Sequence, residues 1–331
     1  MDLLEYDQDN RGRQGSNFRK GLFTMYTPLV SVIIPTYNRR ELVKEAVQSV
    51  LDQDYTRIEV IIVDDGSTDG TEREISRVFN SRTHVISQVH GGKSRARNRG
   101  VLESRGELVC FLDSDDILLP CSVSARVRCF RDNEHCQVSY GLYIKEKKYE
   151  KKKKVVLKQE YPSGYILEDY VNNPIIHNNS FMISRENMLN YGMYREDLTN
   201  LEDFELFIRL THKLYFCYCG TLCFVFRDRG LRAHHNFEEI VAQGAKELDY
   251  IFTDHTLSNL LVGEKARLYA VAYLRLAKAH LRLNRPREFR RYFKMAREIQ
   301  QRQRWNVKLC RRWFLSWFVE RSQKNQEVEG H

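Results

Sequence analysis

The sequence predicts an α/β fold: a mostly parallel sheet with helices on both faces, followed by a C-terminal α-helical extension. Three observations predict it. From Val30, short apolar runs rich in Val and Ile alternate with segments of helical period. Those runs are apolar on both faces, as strands covered on both sides must be. From Phe237 onward the pattern is helical.

The elements follow in order. Val30–Ile34 is the first strand, and Leu42, Ala46, Val47 and Val50 give Glu41–Leu51 one apolar helical face. Ile58–Val63 is the second strand and Thr71–Phe79 the second helix, with Asp69 and Thr71 at its start as a cap. His84–Val89, a helix over Ser94–Ser104 and a strand over Glu107–Leu112 complete the alternation. Crossovers of this kind are right-handed. A helix after Pro120 runs to about Asp132, and a strand lies near Val138–Ile144. The charge run Lys145–Lys154 reads as a solvated hairpin connection. Leu206, Phe207 and Leu210 pack one helix whose first turn holds Glu202 and Asp203, where the helix dipole favours carboxylates. Arg267–Leu283 and Arg287–Ile299 pair antiparallel about Asn284-Arg285-Pro286.

At 331 residues and 42% hydrophobic content the chain can hold one large core plus an appendage. The expected divisions are a polar, disordered leader over 1–28, an α/β domain over 29–236 split near 120/121, and a basic helical region over 237–331. No run approaches the ~20 apolar residues that span a bilayer. The eight cysteines lack paired metal-ligand spacing, so they are expected as buried reduced thiols of a cytosolic protein. The net charge of +9 is uneven, because residues 264–331 hold 18 Lys/Arg against 6 Asp/Glu. There Trp305, Leu309, Trp313 and Trp317 repeat every four residues beside Lys308, Arg311 and Arg312. Such a helix can lie on an anionic membrane or pack onto the preceding helices.

Ligands of open parallel sheets bind beyond the carboxyl ends of the strands, so those ends carry the candidate site. The first ends in Pro35-Thr36-Tyr37-Asn38, and the second runs into Asp64-Asp65-Gly66-Ser67-Thr68-Asp69-Gly70-Thr71. Gly91-Gly92-Lys93-Ser94-Arg95-Ala96-Arg97-Asn98 follows the third, and Asp113-Ser114-Asp115-Asp116 ends the fourth. Strand alternation puts Asp113 and Asp115 on one side. Two carboxylates that close call for a cation, and a hard divalent ion on a ligand's phosphates suits them. Alternatively the cluster is an acidic turn capping a helix that begins at Ile117–Pro120.

The motif set Val-Ser-Val-Ile-Ile-Pro-Thr-Tyr-Asn, Val-Asp-Asp-Gly-Ser-Thr-Asp-Gly-Thr, Ala-Arg-Asn-Arg-Gly, Phe-Leu-Asp-Ser-Asp-Asp and Glu-Asp, in this order over about residues 29–235, resembles family 2 glycosyltransferases. The resemblance implies a GT-A fold, with a nucleotide-sugar-binding half over 29–120 and an acceptor half over 121–236. It implies an inverting transfer from a nucleotide-diphosphate sugar, UDP- or dTDP-linked, to a glycan or lipid-linked acceptor in surface polysaccharide or glycolipid synthesis. Implied nucleotide contacts are Pro35, Thr36, Tyr37, Asn38, Asp65, Lys93, Arg97 and Ser114. A carboxylate at Asp65 suits the imide N–H of uracil or thymine. Asp113 and Asp115 would hold Mg²⁺ or Mn²⁺ on the donor diphosphate. Asp203 would be the catalytic base, supported by Glu202, and Asp116 would cap the next helix or touch the sugar. Arg227 and His234 are candidates for the diphosphate or metal, and Asn179 for the acceptor.

The implied location is the cytoplasm, peripheral on the inner face of the membrane, with no nucleic-acid partner. Two alternatives stand beside this reading. A sugar-1-phosphate nucleotidyltransferase would carry a glycine- and arginine-rich signature after the first strand, where Pro35–Asn38 stands. A non-catalytic nucleotide-sugar-binding or scaffold protein would not need Asp113, Asp115 and Asp203 together. A dehydrogenase lacks its Gly-x-Gly-x-x-Gly here.

Overall fold

The computed structural model describes residues 27–79, 83–147, 154–155, 161–172, 174–198, 201–228 and 261–302, with single residues and pairs between 238 and 259. The leader up to residue 26, His234 and the tryptophan stripe beyond residue 302 lie outside the described residues.

The first half is the predicted alternation. Strands β1 (Val30–Thr36), β2 (Ile58–Asp64), β3 (Thr83–Ser87) and β4 (Leu108–Phe111) are joined by helices α1 (Arg40–Leu51), α2 (Thr71–Val78) and α3 (Lys93–Glu103). β1 pairs in parallel with β2 and with β4, and β2 pairs in parallel with β3. β1 and β2 are buried along their whole length, which accounts for their uninterrupted apolar sequences. The β3 edge is half exposed.

The second half departs from a purely parallel sheet. It contributes β5 (Ile117–Leu118), α4 (Ser122–Asp132), β6 (Val138–Lys147), β7 (Lys154–Val155), α5 (Leu167–Asn172), β8 (Phe181–Ser184), α6 (Arg185–Asn190), α7 (Glu202–Lys213) and β9 (Phe216–Asp228). The nine strands form one sheet in the order β3-β2-β1-β4-β8-β6-β9-β5, with β7 on β6. β8 is antiparallel to both β4 and β6, β5 is antiparallel to β9, and β6 runs parallel to β9. β6 pairs antiparallel with β7, placing Lys145 opposite Lys154 at the two ends of the charge run, whose residues 148–153 lie outside the described residues.

Ile117 and Leu118, one candidate for a helix start, are instead strand β5, with Ile117 opposite Val225. The bond from Leu119 N–H to the Cys223 carbonyl extends that pairing. The helix therefore begins only at Ser122, so Asp116 does not cap it.

The two sheet faces have separate cores, and alternation along β1 divides them. Val32 and Ile34 join Val43, Val47, Ile75 and Val123 under α1, α2 and α4. Ile33 joins Ala96, Val101, Phe111, Leu206 and Phe207 under α3 and α7. Phe252, Leu261 and Leu268 belong to that second cluster. Helices α8 (Lys265–Arg282) and α9 (Pro286–Arg302) form the expected antiparallel pair, and α8 packs on the sheet's own core through Leu268. Among the described residues no helix is long and apolar enough to cross a membrane. Cys110, Cys121, Cys129, Cys136, Cys217, Cys219 and Cys223 are free thiols, and Cys121 is exposed where burial was expected.

Gly100 explains one motif position by packing. A Cβ there would lie 2.3 Å from Cγ2 of Ile33, so α3 can approach β1 only without a side chain. Overpacking costs ~1–3 kcal/mol, partly offset by ~1 kcal/mol of helix propensity for alanine. Gly100→Ala should therefore lower stability by about 1–2 kcal/mol in urea denaturation; an unchanged midpoint would mean the helix is free to back away.

Candidate active site

The strand order reverses between β1 and β4, because β2 and β3 lie to one side of β1 and β4 to the other. Such a reversal opens a crevice at the carboxyl ends of the two strands. Residues following β1, β2 and β4 form its walls.

On the β1 wall, Pro35 and Thr36 are strand residues paired with Val63 and Asp64, and both are buried. Tyr37 is the first side chain to emerge, 43% exposed. Asn38 takes a positive φ of 49°, which its short amide tolerates better than most side chains. Its N–H donates to Ser67 Oγ at 2.8 Å, and its Oδ1 accepts from Thr68 N–H at 2.8 Å. Asn38 thus clasps the β1 and β2 loops together. Asp69 accepts from Thr71 N–H at 3.0 Å, the expected cap, and also from Arg40 N–H at 3.2 Å.

The β2 wall centres on Asp65, a buried carboxylate with four donors. Gln88 Nε2 and Gly91 N–H donate to Oδ1 at 2.7 and 2.9 Å. Gly92 N–H donates to Oδ2 at 2.8 Å, and His90 Nδ1 lies 2.9 Å from the same oxygen.

On the β4 wall, Asp113–Asp116 is a turn rather than a strand end, closed by Asp116 N–H donating to the Asp113 carbonyl at 2.9 Å. Turn geometry, not strand alternation, brings the carboxylates of Asp113, Asp115 and Asp116 within 4.8 Å of one another. Asn179 holds the turn: its Oδ1 accepts from Asp113 N–H at 3.0 Å and its Nδ2 donates to Asp116 Oδ2 at 2.7 Å. Asn179 is fully buried and so does not face an acceptor. Arg227, at the end of β9, donates its N–H to Asp116 Oδ1 at 3.0 Å and its Nε to the Asp115 carbonyl at 2.6 Å. Its guanidinium also pairs with Glu45. Ser114 is buried within the turn.

Burial first, and the Asp113 charge beside it, push the Asp116 carboxyl up to about 7. Two carboxylate charges 4.8 Å apart repel by ~3 kcal/mol at an effective dielectric of 20. Positive side chains offset part of this. Arg97 Nη2 lies 2.7 Å from Asp113 Oδ1, and Arg39 Nη1 lies 2.8 Å from Asp115 Oδ1. The clustered hard oxygens suit a divalent cation, with Asp113 and Asp115 the better ligands because Asp116 is committed to Asn179 and Arg227.

Arg97 is entirely buried and reaches α7 as well, with Nη1 3.6 Å from Glu202 Oε1 and its guanidinium 5.1 Å over the Tyr194 ring. Lys93 pairs with the same carboxylate. Burial pushes the Glu202 carboxyl up, Lys93 and Arg97 oppose it, and Asp203 adds to it. Glu202 is thus a buried partner of two cations. Asp203, one residue on, is half exposed and accepts from Phe204 N–H at 2.9 Å. Burial raises the Tyr194 phenol, Arg97 lowers it, and the charges of Asp203, Asp113 and Glu202 all raise it. Asn98 pins that ring's backbone, accepting from Tyr194 N–H at 2.9 Å and donating to the Tyr194 carbonyl at 2.8 Å.

Direct contacts therefore link Lys93, Arg97, Asp113 and Glu202, Arg227 joins Asp115, Tyr37 and Asp65 meet through His90, and Asp203 follows Glu202 in the chain. Arg39, Gln88 and His90 were missed. Arg39 directly follows the first strand-end motif, and a cation next to a carboxylate-rich crevice was the available signal.

The fold is similar to that of solved GT-A glycosyltransferases. Residues 1–349 of S. aureus TarS share it with a TM-score of 0.53 at 17% identity, over 81% of this chain and 91% of that one. The mannosyltransferase PcManGT of Pyrobaculum calidifontis shares it with a TM-score of 0.53 at 20% identity, over 78% and 74%. Likeness at this identity concerns the fold. Residues 31–191 match the family model Glycosyl transferase family 2, and this part of the chain is a family 2 glycosyltransferase domain. TuaG of Bacillus subtilis, named for teichuronic acid biosynthesis, is 46% identical over 97 residues, 28% of this chain and 38% of that protein. The Escherichia coli glucosyltransferase WfaP is 37% identical over 122 residues, 37% of this chain and 48% of that protein. An uncharacterised Rickettsia felis glycosyltransferase is 28% identical over 196 residues, 56% and 32%. The chain spans from 28% to 59% of the length of such relatives.

Arg97→Met leaves Glu202 and Asp113 without their shared buried cation. Breaking a buried pair in this way costs ~3–5 kcal/mol. The expected loss is about 3 kcal/mol by denaturant unfolding, and a loss below 1 kcal/mol would mean that Lys93 alone compensates Glu202.

Proposed function

We propose that the chain is a metal-dependent inverting glycosyltransferase that moves a sugar from a nucleotide-diphosphate donor to a hydroxyl of a glycan or lipid-linked acceptor in surface polysaccharide or glycolipid synthesis. The observation that carries this reading is the acidic turn of Asp113 and Asp115 at the β1/β4 switch point, linked through Arg97 to Glu202, the chain neighbour of Asp203 in the first turn of α7. The donor class is supported by TarS, solved with UDP-GlcNAc, and by PcManGT, solved with GDP-Man and Mn²⁺. The acceptor class is supported by WfaP, whose name specifies a glucosyl transfer to α-D-GlcNAc-diphosphoundecaprenol.

In this reading Asp113 and Asp115 hold Mg²⁺ or Mn²⁺, and Tyr37 and Asp65 take the nucleobase. The cation, when bound, supplies Lewis-acid neutralisation of the leaving diphosphate. Arg39, Lys93 and Arg227 add positive charge beside the same phosphates. Asp203 accepts the proton of the acceptor hydroxyl as that oxygen attacks the anomeric carbon. Asp203, in the first turn of α7, is half exposed, whereas Glu202 is buried against Lys93 and Arg97. The base is therefore Asp203, and Glu202 sets the cations that frame it. Attack opposite the leaving diphosphate in one displacement inverts the anomeric configuration. A cytoplasmic location at the inner membrane face fits a lipid-linked acceptor and the basic residues of 264–331.

Asp203→Asn should reduce transfer by ~10²–10⁴-fold while donor binding stays within twofold, the effect of removing a general base. Full turnover in that variant, measured as nucleotide-diphosphate release from a sugar-nucleotide panel with Mn²⁺, would move the base elsewhere. Asp115→Asn should weaken Mn²⁺-dependent UDP binding by about tenfold or more, since one of two ligand charges is lost. An unchanged calorimetric titration would exclude Asp115 from the metal site.

A further inference from the structure

The base slot of the proposed donor site is occupied by a side chain of this protein. The His90 ring stacks on Tyr37, with centroids 4.2 Å apart and planes at 27°. Its Nδ1 lies 2.9 Å from Asp65 Oδ2 and 3.1 Å from the Asp65 carbonyl. Both partners are acceptors, so Nδ1 carries the proton. A flat ring on the tyrosine that gives one N–H to the carboxylate has the contacts a uracil or thymine would make there.

The remaining contacts of Asp65 are of a different kind. A carboxylate offers about four lone-pair sites. Three are filled by Gln88 Nε2 and by the backbone N–H groups of Gly91 and Gly92. That loop is held in place: Gln88 N–H donates to the Asp64 carbonyl at 2.9 Å, and a Cβ on Gly66 would lie 2.9 Å from the His90 nitrogen. The imidazole is the exposed member, 56% accessible, over a carboxylate only 4% accessible. A ring reaching Asp65 from the crevice therefore replaces His90 and none of the others.

We propose that His90 is the resident occupant of the nucleobase slot, and that a donor enters by exchanging its base for this imidazole. The exchange frees one lone pair on Asp65. The imide of uracil or thymine supplies one N–H and fits that site. Guanine presents N1–H and N2–H side by side and needs two acceptor sites, of which Gln88 retains the second. His90 and Gln88 thus set the donor class as uridine or thymidine diphosphates over guanosine diphosphate. This inference rests on Tyr37 and Asp65 being the base site.

The test is calorimetric titration of the full chain with UDP and with GDP, both with Mn²⁺, in four forms: wild type, His90→Ala, Gln88→Ala and Asp65→Ala. Wild type should bind UDP about tenfold or more tighter than GDP. His90→Ala should tighten UDP by about fivefold, because a competing hydrogen bond to a charged group is removed. Gln88→Ala should narrow the UDP-to-GDP ratio by freeing a second site. UDP affinity unchanged or weaker in His90→Ala overturns the occupancy, and a wild-type preference for GDP overturns the selectivity. If Asp65→Ala binds UDP as wild type does, the base-site reading itself falls; if only Asp65→Ala loses UDP, that reading stands and the role of His90 falls.

Discussion

Arg97 is the cation on which the architecture of the crevice depends. Its guanidinium is buried between the acidic turn after β4 and the first turn of α7, touching Asp113 at 2.7 Å and Glu202 at 3.6 Å. Removing a full charge from water is expensive, and only excellent pairing offsets it. Arg97 is hydrogen-bonded to Asp113 and lies near Glu202 and the face of Tyr194, while its Nε and Nη1 have no hydrogen-bond partner among the described residues, so its burial is only partly offset. It also joins segments far apart in sequence, because α3 carries the arginine, β4 the turn and α7 the glutamate. The acidic turn and the first turn of α7 are thus held against one buried charge. Reacting groups must be held to within a fraction of an ångström, which buried charge pairing does better than exposed side chains.

The acidic turn is buttressed from the opposite side. Asn179 and the backbone N–H of Arg227 satisfy Asp116, while Asn179 also accepts from the backbone of Asp113. Every bond in this set points at the turn, leaving the Asp113 and Asp115 carboxylates directed to the crevice and its cations. Antiparallel β8 and the long β9 exist in this position because the second half of the sheet turns mixed, bringing Asn179 and Arg227 against a turn that begins in the parallel half.

Much of this was legible in the sequence where the governing physics is local. Of the predicted stripe Leu42, Ala46, Val47 and Val50, the last three lie on the buried face of α1, where Val43 rather than Leu42 completes it, and the double-faced apolar runs are the buried strands β1 and β2. The location of the crevice followed from strand ends. Pairwise contacts did not follow. Asp113 and Asp115 share a side because of a turn closed by a backbone bond, which alternation does not describe. Asn179 was a candidate acceptor contact because the resemblance puts His177–Ser180 on the acceptor side, and its role as a strut depends on β8 lying beside β4. Arg39 and His90 carry no periodic signal, and their partners Asp115 and Tyr37 meet them only through the topology.

These interactions share one logic. A crevice that binds charged and aromatic groups must itself survive as a folded structure, and unpaired buried charge is costly. Asp115 is paired with Arg39, Asp113 with Arg97, Glu202 with Lys93 and Asp65 with His90. The partners differ in how firmly they are held: Arg97 is buried, whereas the His90 side chain is 56% exposed, Lys93 51% and Arg39 33%. In the proposed reading an incoming ligand exchanges with the exposed members and leaves the buried one in place. Binding by exchange lowers affinity, since every hydrogen bond the ligand makes takes the place of one the protein already had. It raises selectivity for the same reason, because a ligand that fails to replace a displaced bond leaves a buried carboxylate short of a partner.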